Sequence, residues 1–400
     1  MNKTHVLRAI LFLQLFLHVL WNAPNSFSLI MDQKQFVRGQ ENLEGLIRPG
    51  NHTNVPPPDV RIGIGGQKGV VHDPQFLKKS SIHISVANLG SQKQSLCVEA
   101  GSGVEGEMGI VRLKQIRDHI ESKKSEQPSG TKLFCAIYTY SGNVNMTNAV
   151  GETWGKRCDG ALFASDVSNE KLGHFQIPTF SRNGYGYRGM IQRTRAILAY
   201  LYDYFLDDYD FFHICGDDVY MIVENMKEFL ELKEVKNWES VPGQYVFAGF
   251  WAHWGNMNDG YFYLGGGSGY TLSKRALKAF VEGPLQTCNP YQEGSAEDVW
   301  LSDCARLLSN DFIYTGDVEG RQRYHQGPIY DPVRYRIFRK SILHSSSLTG
   351  ISSAPEESIV SNASILFHKH YHPFELRRME LLLYGNVDEH KINKCYEEIA

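Results

Sequence analysis

The sequence predicts an α/β layered domain held behind a membrane-directed amino terminus. Three observations support this. Residues 9–21 form an apolar run, the chain to about residue 130 is punctuated by Pro and Gly, and beyond Thr131 short β-rich runs alternate with helix-length amphipathic segments. A chain of 400 residues has room for two or three structural units. With 42% hydrophobic and 21% charged residues it has globular proportions, which excludes a disordered, collagen-like, coiled-coil or multi-span membrane chain. Forty-one Lys plus Arg against forty-four Asp plus Glu give a net charge of −3 and no global positive field for nucleic acid, so binding must come from a local site.

At the amino terminus Lys3 and Arg8 precede an apolar run from Ala9 to Trp21, broken only by Gln14 and His18. A secretory h-region needs roughly 7–15 apolar residues and a spanning helix about 20, so length alone favours a cleaved signal peptide. An uncleaved segment would leave residues 1–8 as a cytoplasmic tail and 9–23 as a signal anchor. Either way the rest of the chain enters the secretory lumen. There Asn51, Asn145 and Asn362 are candidate N-glycosylation sites, each in an Asn-x-Ser/Thr triplet. The seven cysteines leave at least one thiol or an intermolecular partner, and the lack of Cys-x-x-Cys argues against a zinc site. Cys97 and Cys395 are open to pairing with each other or between two chains of a homodimer. Residues 24–130 read as a stem and an ill-defined lumenal region, with one short polar helix at Val111–Lys123.

Strands are predicted at Lys132–Tyr140, Ala161–Ala164 and Tyr209–Ile214, the last nearly continuous in apolar residues, as a strand covered on both faces should be. Arg188–Phe205 reads as a helix, with Ile191, Thr194, Leu198, Leu201 and Phe205 stepping by three and four toward the sheet. Further helices are expected from near Val219, Ser273 and Ser295. The Ser295 helix would carry an apolar stripe of Val299, Trp300, Cys304 and Leu307.

The third strand ends in Gly216-Asp217-Asp218. This is good turn material, but carboxylates at the carboxyl end of an α/β strand also stand where such sheets bind ligands. Two adjacent anions repel unless a cation joins them, and a hard divalent ion carrying phosphate oxygens suits them. Gly265-Gly266-Gly267-Ser268-Gly269 admits two readings, a flexible linker or a wall where backbone approaches a ligand. The Tyr261–Leu264 strand before it and the Thr271-Leu272-Ser273 cap behind it favour the wall. Glu297-Asp298 opens a helix and is either an acidic first turn or a base. Trp251, His253 and Trp254 could stack on the flat face of a ligand, with core packing the alternative for Trp251.

Several motifs in order resemble the inverting β1,3-glycosyltransferases typified by the core 1 galactosyltransferases. These are Leu133-Phe134-Cys135, Glu152-Thr153-Trp154 with Arg157-Cys158, Asp210-Phe211-Phe212 through Asp218 and Tyr220, Gly265 to Lys274, Glu297-Asp298, and Phe367-His368. The likeness runs from about Lys132 to Tyr384. It implies a GT-A nucleotide-sugar-binding domain over residues 131–385, with a mixed, mostly parallel sheet flanked by helices, ahead of a tail at 386–400. It also implies a type II Golgi anchor, reversing the preference drawn from length, with secretion after cleavage as the alternative.

By position, the resemblance makes Asp218 and His368 ligands of Mn²⁺ or Mg²⁺. It places Asp217, Thr153, Trp154, Gly266 and Gly267 around a UDP-sugar, expected to be UDP-galactose. Asp298 becomes the base, with Glu297, Trp251 and Trp254 toward a glycoprotein acceptor carrying N-acetylgalactosamine. It pairs Cys135 with Cys158 and Cys288 with Cys304, leaving Cys215 a buried thiol. Gly216 is the departure, since the family usually has an aspartate there. That motivates the rival reading of a non-catalytic folding partner or glycan binder, while a sibling using another donor such as UDP-N-acetylglucosamine would carry almost the same motifs.

Overall fold

The computed structural model describes residues 107–124, 130–178, 186–254, 261–309, 311–329 and 360–385. The expected cytoplasmic tail, anchor and stem up to residue 106, Asn51, Cys97, Cys395 and the 386–400 tail lie outside them. Among the described residues no helix is long and apolar enough to cross a membrane.

A six-stranded sheet organises the fold. Its parallel strands are β1 (Leu133–Tyr138), β2 (Gly160–Ser165), β3 (His174–Gln176) and β4 (Phe211–Gly216), and its antiparallel arm is β6 (Phe247–Trp254) and β7 (Tyr261–Ser273). The order is β3-β2-β1-β4-β7-β6, so the chain leaves β1 in one direction and returns on its other side as β4. That reversal is the switch point at which open α/β sheets bind ligands. The mixed, mostly parallel α/β sheet predicted from the sequence is present.

Residue alternation explains why these runs are strands. In β1, Leu133, Cys135 and Ile137 enter one core while Phe134 and Ala136 enter the other. The first core is covered by α1 (Glu107–Lys123), α2 (Val144–Glu152), α4 (Val223–Glu231) and α9 (Pro373–Tyr384). The second is covered by α3 (Met190–Phe205), α6 (Lys274–Glu282) and α8 (Glu297–Ala305). Every position of the predicted α3 stripe is buried. Ser273 caps α6 as its position suggested, its Oγ accepting from the Ala276 N–H at 3.0 Å. The expected polar helix at Val111–Lys123 begins at Glu107 and sends Leu113, Ile116 and Ile120 into the first core, so part of the 24–130 region is packed structure.

Three expectations need correction. Val219 does not start a helix: Val219–Met221 is a strand, β5, pairing with β9 (Leu366–His368), which also pairs with β8 (Tyr324–His325). β-branched Val219 and aromatic Tyr220 suit that pleat, and α4 starts only at Val223. The glycine run lies inside one long strand, not between a strand and a cap. Phe250 faces Gly265 while Gly249 faces Tyr270, so residues 266–269 leave the ladder as an excursion, with Gly269 at φ 71°. Leu307 is 65% exposed because α8 ends at Ala305, and its inward face holds Trp300, Leu301 and Cys304.

Both implied disulfides are present, Cys135–Cys158 and Cys288–Cys304, with Cα atoms 6.2 and 5.7 Å apart, and Cys215 is a buried thiol. Such bridges suit an oxidising compartment. Asn145 is exposed near the start of α2, and Asn362 is half-buried in a turn.

Candidate active site

The site grows from the carboxyl end of β4. Asp218 follows it directly, and the short β5–β9 ladder brings up the carboxyl-terminal segment, so that His368 Nε2 stands 3.1 Å from Asp218 Oδ2. The His370 N–H donates to the Asp218 carbonyl at 3.0 Å and fixes the turn. On the far side of the imidazole, Nδ1 lies 3.2 Å from the Gln326 carbonyl. A carbonyl can only accept, so Nδ1 carries the hydrogen and Nε2 is the atom presented to Asp218.

Asp217 points the other way, its Oδ2 accepting from Thr139 Oγ1 at 2.6 Å and from Asn143 Nδ2 at 2.7 Å. Burial pushes its carboxyl up to about 6, although the two hydrogen bonds pull in the opposite direction. A Cβ at Gly216 would lie 2.7 Å from Asp218 Oδ1 and 3.1 Å from Tyr138 Cε2, so a side chain there would require the Asp218 carboxylate to shift and the Tyr138 ring to give slightly.

The second acidic pair approaches from the start of α8. Glu297 is buried and accepts from the Tyr270 hydroxyl at 3.3 Å. Burial first, then the neighbouring Asp298, pushes its carboxyl up to about 8. Asp298 is half-buried, with Oδ1 accepting from the Val299 N–H at 2.9 Å and Oδ2 from the Gly266 N–H at 3.3 Å. Burial raises its pKa as well. The glycine excursion joins the two acidic pairs. A Cβ on Gly266 would meet Glu297 Oε1 at 2.5 Å, and one on Gly267 would meet His368 Nδ1 at 2.3 Å.

Other predicted residues are used inside the fold. Thr153 is buried with its hydroxyl on the Ala149 carbonyl at 2.6 Å, and Trp154 is fully buried with its indole N–H on the Val219 carbonyl at 2.8 Å. Both side-chain polar groups are thus committed inside the fold, and Trp154 anchors the strand after Asp218. The Trp251 indole donates to the Ile313 carbonyl at 3.1 Å and its ring packs on Phe262 and Tyr314, the packing alternative. Trp254 ends β6 opposite Tyr261.

No protein-family model matches the chain. A curated relative does: glycoprotein-N-acetylgalactosamine 3-beta-galactosyltransferase 1 of Xenopus laevis is 28% identical over 208 residues. The chain is similar to a β1,3-galactosyltransferase. The match takes in 52% of this chain and 54% of that protein, so it spans about half the length of the relative. The resemblance carried by the motifs thus has a counterpart in a relative matched over 208 residues.

Sequence reasoning missed Thr139 and Asn143, which hold Asp217, and Tyr138, Tyr270 and Gln326, which border the two acidic pairs. Only the place of Tyr138 and Thr139 at the carboxyl end of β1, beside the switch point, could have drawn notice.

Proposed function

We propose that the chain is a metal-dependent inverting β1,3-galactosyltransferase with a GT-A domain. In this reading it moves galactose from UDP-galactose to the 3-hydroxyl of N-acetylgalactosamine on a glycoprotein, in the Golgi lumen behind a type II anchor. The observation that carries it is the meeting of Asp218 and His368, which are remote in sequence, beside a second carboxylate pair. The likeness to the Xenopus enzyme and the two disulfides point the same way.

The donor set fits Mn²⁺ or Mg²⁺. One carboxylate oxygen and one imidazole nitrogen suit such ions, and two neighbouring ligands of an octahedral ion with bonds of roughly 2.1 Å lie about 3 Å apart. The observed separation is 3.1 Å. Among the described residues no group of three or more His, Cys, Asp and Glu is arranged to hold a metal, and Asp218 and His368 are the residues that would hold the ion. When bound, the ion supplies positive charge against that developing on departing UDP.

Asp298 performs the proton chemistry. Its carboxylate, oriented by the Val299 and Gly266 N–H groups, takes the proton of the acceptor 3-hydroxyl. The acceptor oxygen forms its bond to the anomeric carbon as the bond to UDP breaks, the electron pair leaves with UDP, and the anomeric configuration inverts. Glu297 retains its proton at neutral pH, which limits the pair to one negative charge and leaves Asp298 as the base.

Purified protein incubated with Mn²⁺, a panel of UDP-sugars and an N-acetylgalactosamine glycoside tests this. Galactose transfer that stops on chelation is expected. Transfer from UDP-N-acetylglucosamine alone would identify the sibling activity, and neither UDP release nor transfer with any donor would identify a non-catalytic relative.

A further inference from the structure

Tyr138 is the last residue of β1 and pairs with Gly216 of β4 at the switch point. Its half-buried ring lies on the sheet face of Phe134 and Ala136 and caps the second core where that core meets the site. The ring fills the space a side chain at 216 would need, with Cε2 and Cζ 3.1 and 3.4 Å from a Cβ built there. The next residue, Thr139, holds Asp217. Tyr138 therefore stands at the base of Asp217-Asp218 on one side, while Glu297 and Tyr270 are within electrostatic reach on the other. Its hydroxyl has no hydrogen-bond partner among the described residues, whereas the nearby Tyr270 hydroxyl is committed to Glu297. That hydroxyl is not sealed from solvent, so a ligand group entering the cleft can replace water as its acceptor.

We propose that Tyr138 contacts the hexose of the donor and sets which sugar is transferred, its hydroxyl donating to a sugar hydroxyl. This rests on the transferase reading above. If the diphosphate is held at Asp218 and His368 and the acceptor is deprotonated at Asp298, the sugar lies between those two groups, and Tyr138 forms the floor there. The Gly216 departure then has a use, because the missing side chain is what lets the phenol occupy the floor.

The test compares wild type with Tyr138→Phe in Mn²⁺. Calorimetry measures UDP affinity, and initial rates measure kcat/KM for UDP-galactose, UDP-glucose and UDP-N-acetylglucosamine. Losing one neutral hydrogen bond predicts a drop of about tenfold in kcat/KM for the preferred donor and a narrower preference among the three. UDP affinity and melting temperature should stay at wild-type values. A variant with unchanged kcat/KM and donor preference would overturn the assignment. So would equal losses of UDP affinity and kcat/KM, which would mark Tyr138 as structural. A wild type that neither binds UDP nor transfers sugar would instead overturn the transferase reading, and this proposal with it.

Discussion

Val219 lies directly opposite His368 in the antiparallel pairing of β5 and β9. That register position is what sets the imidazole beside Asp218, the residue before Val219. Strand side chains alternate in direction, so slipping the pairing by one residue would turn His368 to the opposite face and separate it from the carboxylate. Trp154 holds the same strand from behind through the Val219 carbonyl.

Metal-dependent nucleotide binding should therefore need both side chains. Changes to groups that merely support a metal ligand cost 10–100-fold in affinity. Asp218→Ala and His368→Ala should each lower Mn²⁺-dependent UDP affinity by at least about 100-fold in calorimetry. EDTA should produce the same loss in wild type and little further loss in either variant. Wild-type UDP affinity in Asp218→Ala would discredit the ligand assignment.

The two glycines of the excursion should separate binding from chemistry. In Gly267→Ala the new methyl would fall 2.3 Å from His368 Nδ1 and from Gln326 Oε1, so the imidazole must move and UDP binding should weaken. In Gly266→Ala it would fall 2.5 Å from Glu297 Oε1 and 3.3 Å from Asp298 Cβ. There kcat should fall by tenfold or more while UDP affinity holds, because displacing a reacting group by about 1 Å can cost roughly 100-fold. Parallel losses in both variants would show that the excursion acts as one structural unit.

Those glycines also mark how far the sequence could be read. The central strands, α3 and the Ser273 cap were legible because burial on both sheet faces, helical periodicity and capping are local patterns. β5 was missed because three residues carry too little periodicity, and its partner lies about 150 positions away in the chain. Asp217, Asp218, Glu297, Asp298 and His368 stood out by residue type and by resemblance. Their mutual placement, and the recruitment of Tyr138, Thr139, Asn143 and Gln326, depend on the crossing at the switch point and on the excursion in β7. No local spacing encodes either.

The raised carboxyl of Asp298 gives transfer a characteristic pH dependence. Burial favours its protonated form, and only the ionised form can accept the acceptor proton. Under single-turnover conditions, transfer should rise with pH through a midpoint above the ordinary aspartate value of about 3.9. Asp298→Asn should remove this limb and lower transfer by about 10²–10⁴-fold with UDP affinity intact, the range expected for loss of a general base. A limb that survives in Asp298→Asn would place the base elsewhere.

Glu297 makes an independent prediction for stability. Its carboxyl is pushed from an ordinary value of 4.5 up to about 8 by burial first and by Asp298 second. Above pH 4.5 the unfolded chain gives up this proton while the folded protein keeps it, so rising pH favours unfolding until the folded group also ionises near 8. Stability from the protonated group is thus complete at low pH and lost across this window, with an upper bound of about 5 kcal/mol. Glu297→Gln keeps the shape and cannot ionise. In urea titrations its stability relative to wild type should rise steadily from pH 5 to pH 8.5. A constant difference between the two proteins over that range would mean that Glu297 is ionised in the folded protein, and the division of labour with Asp298 would fail.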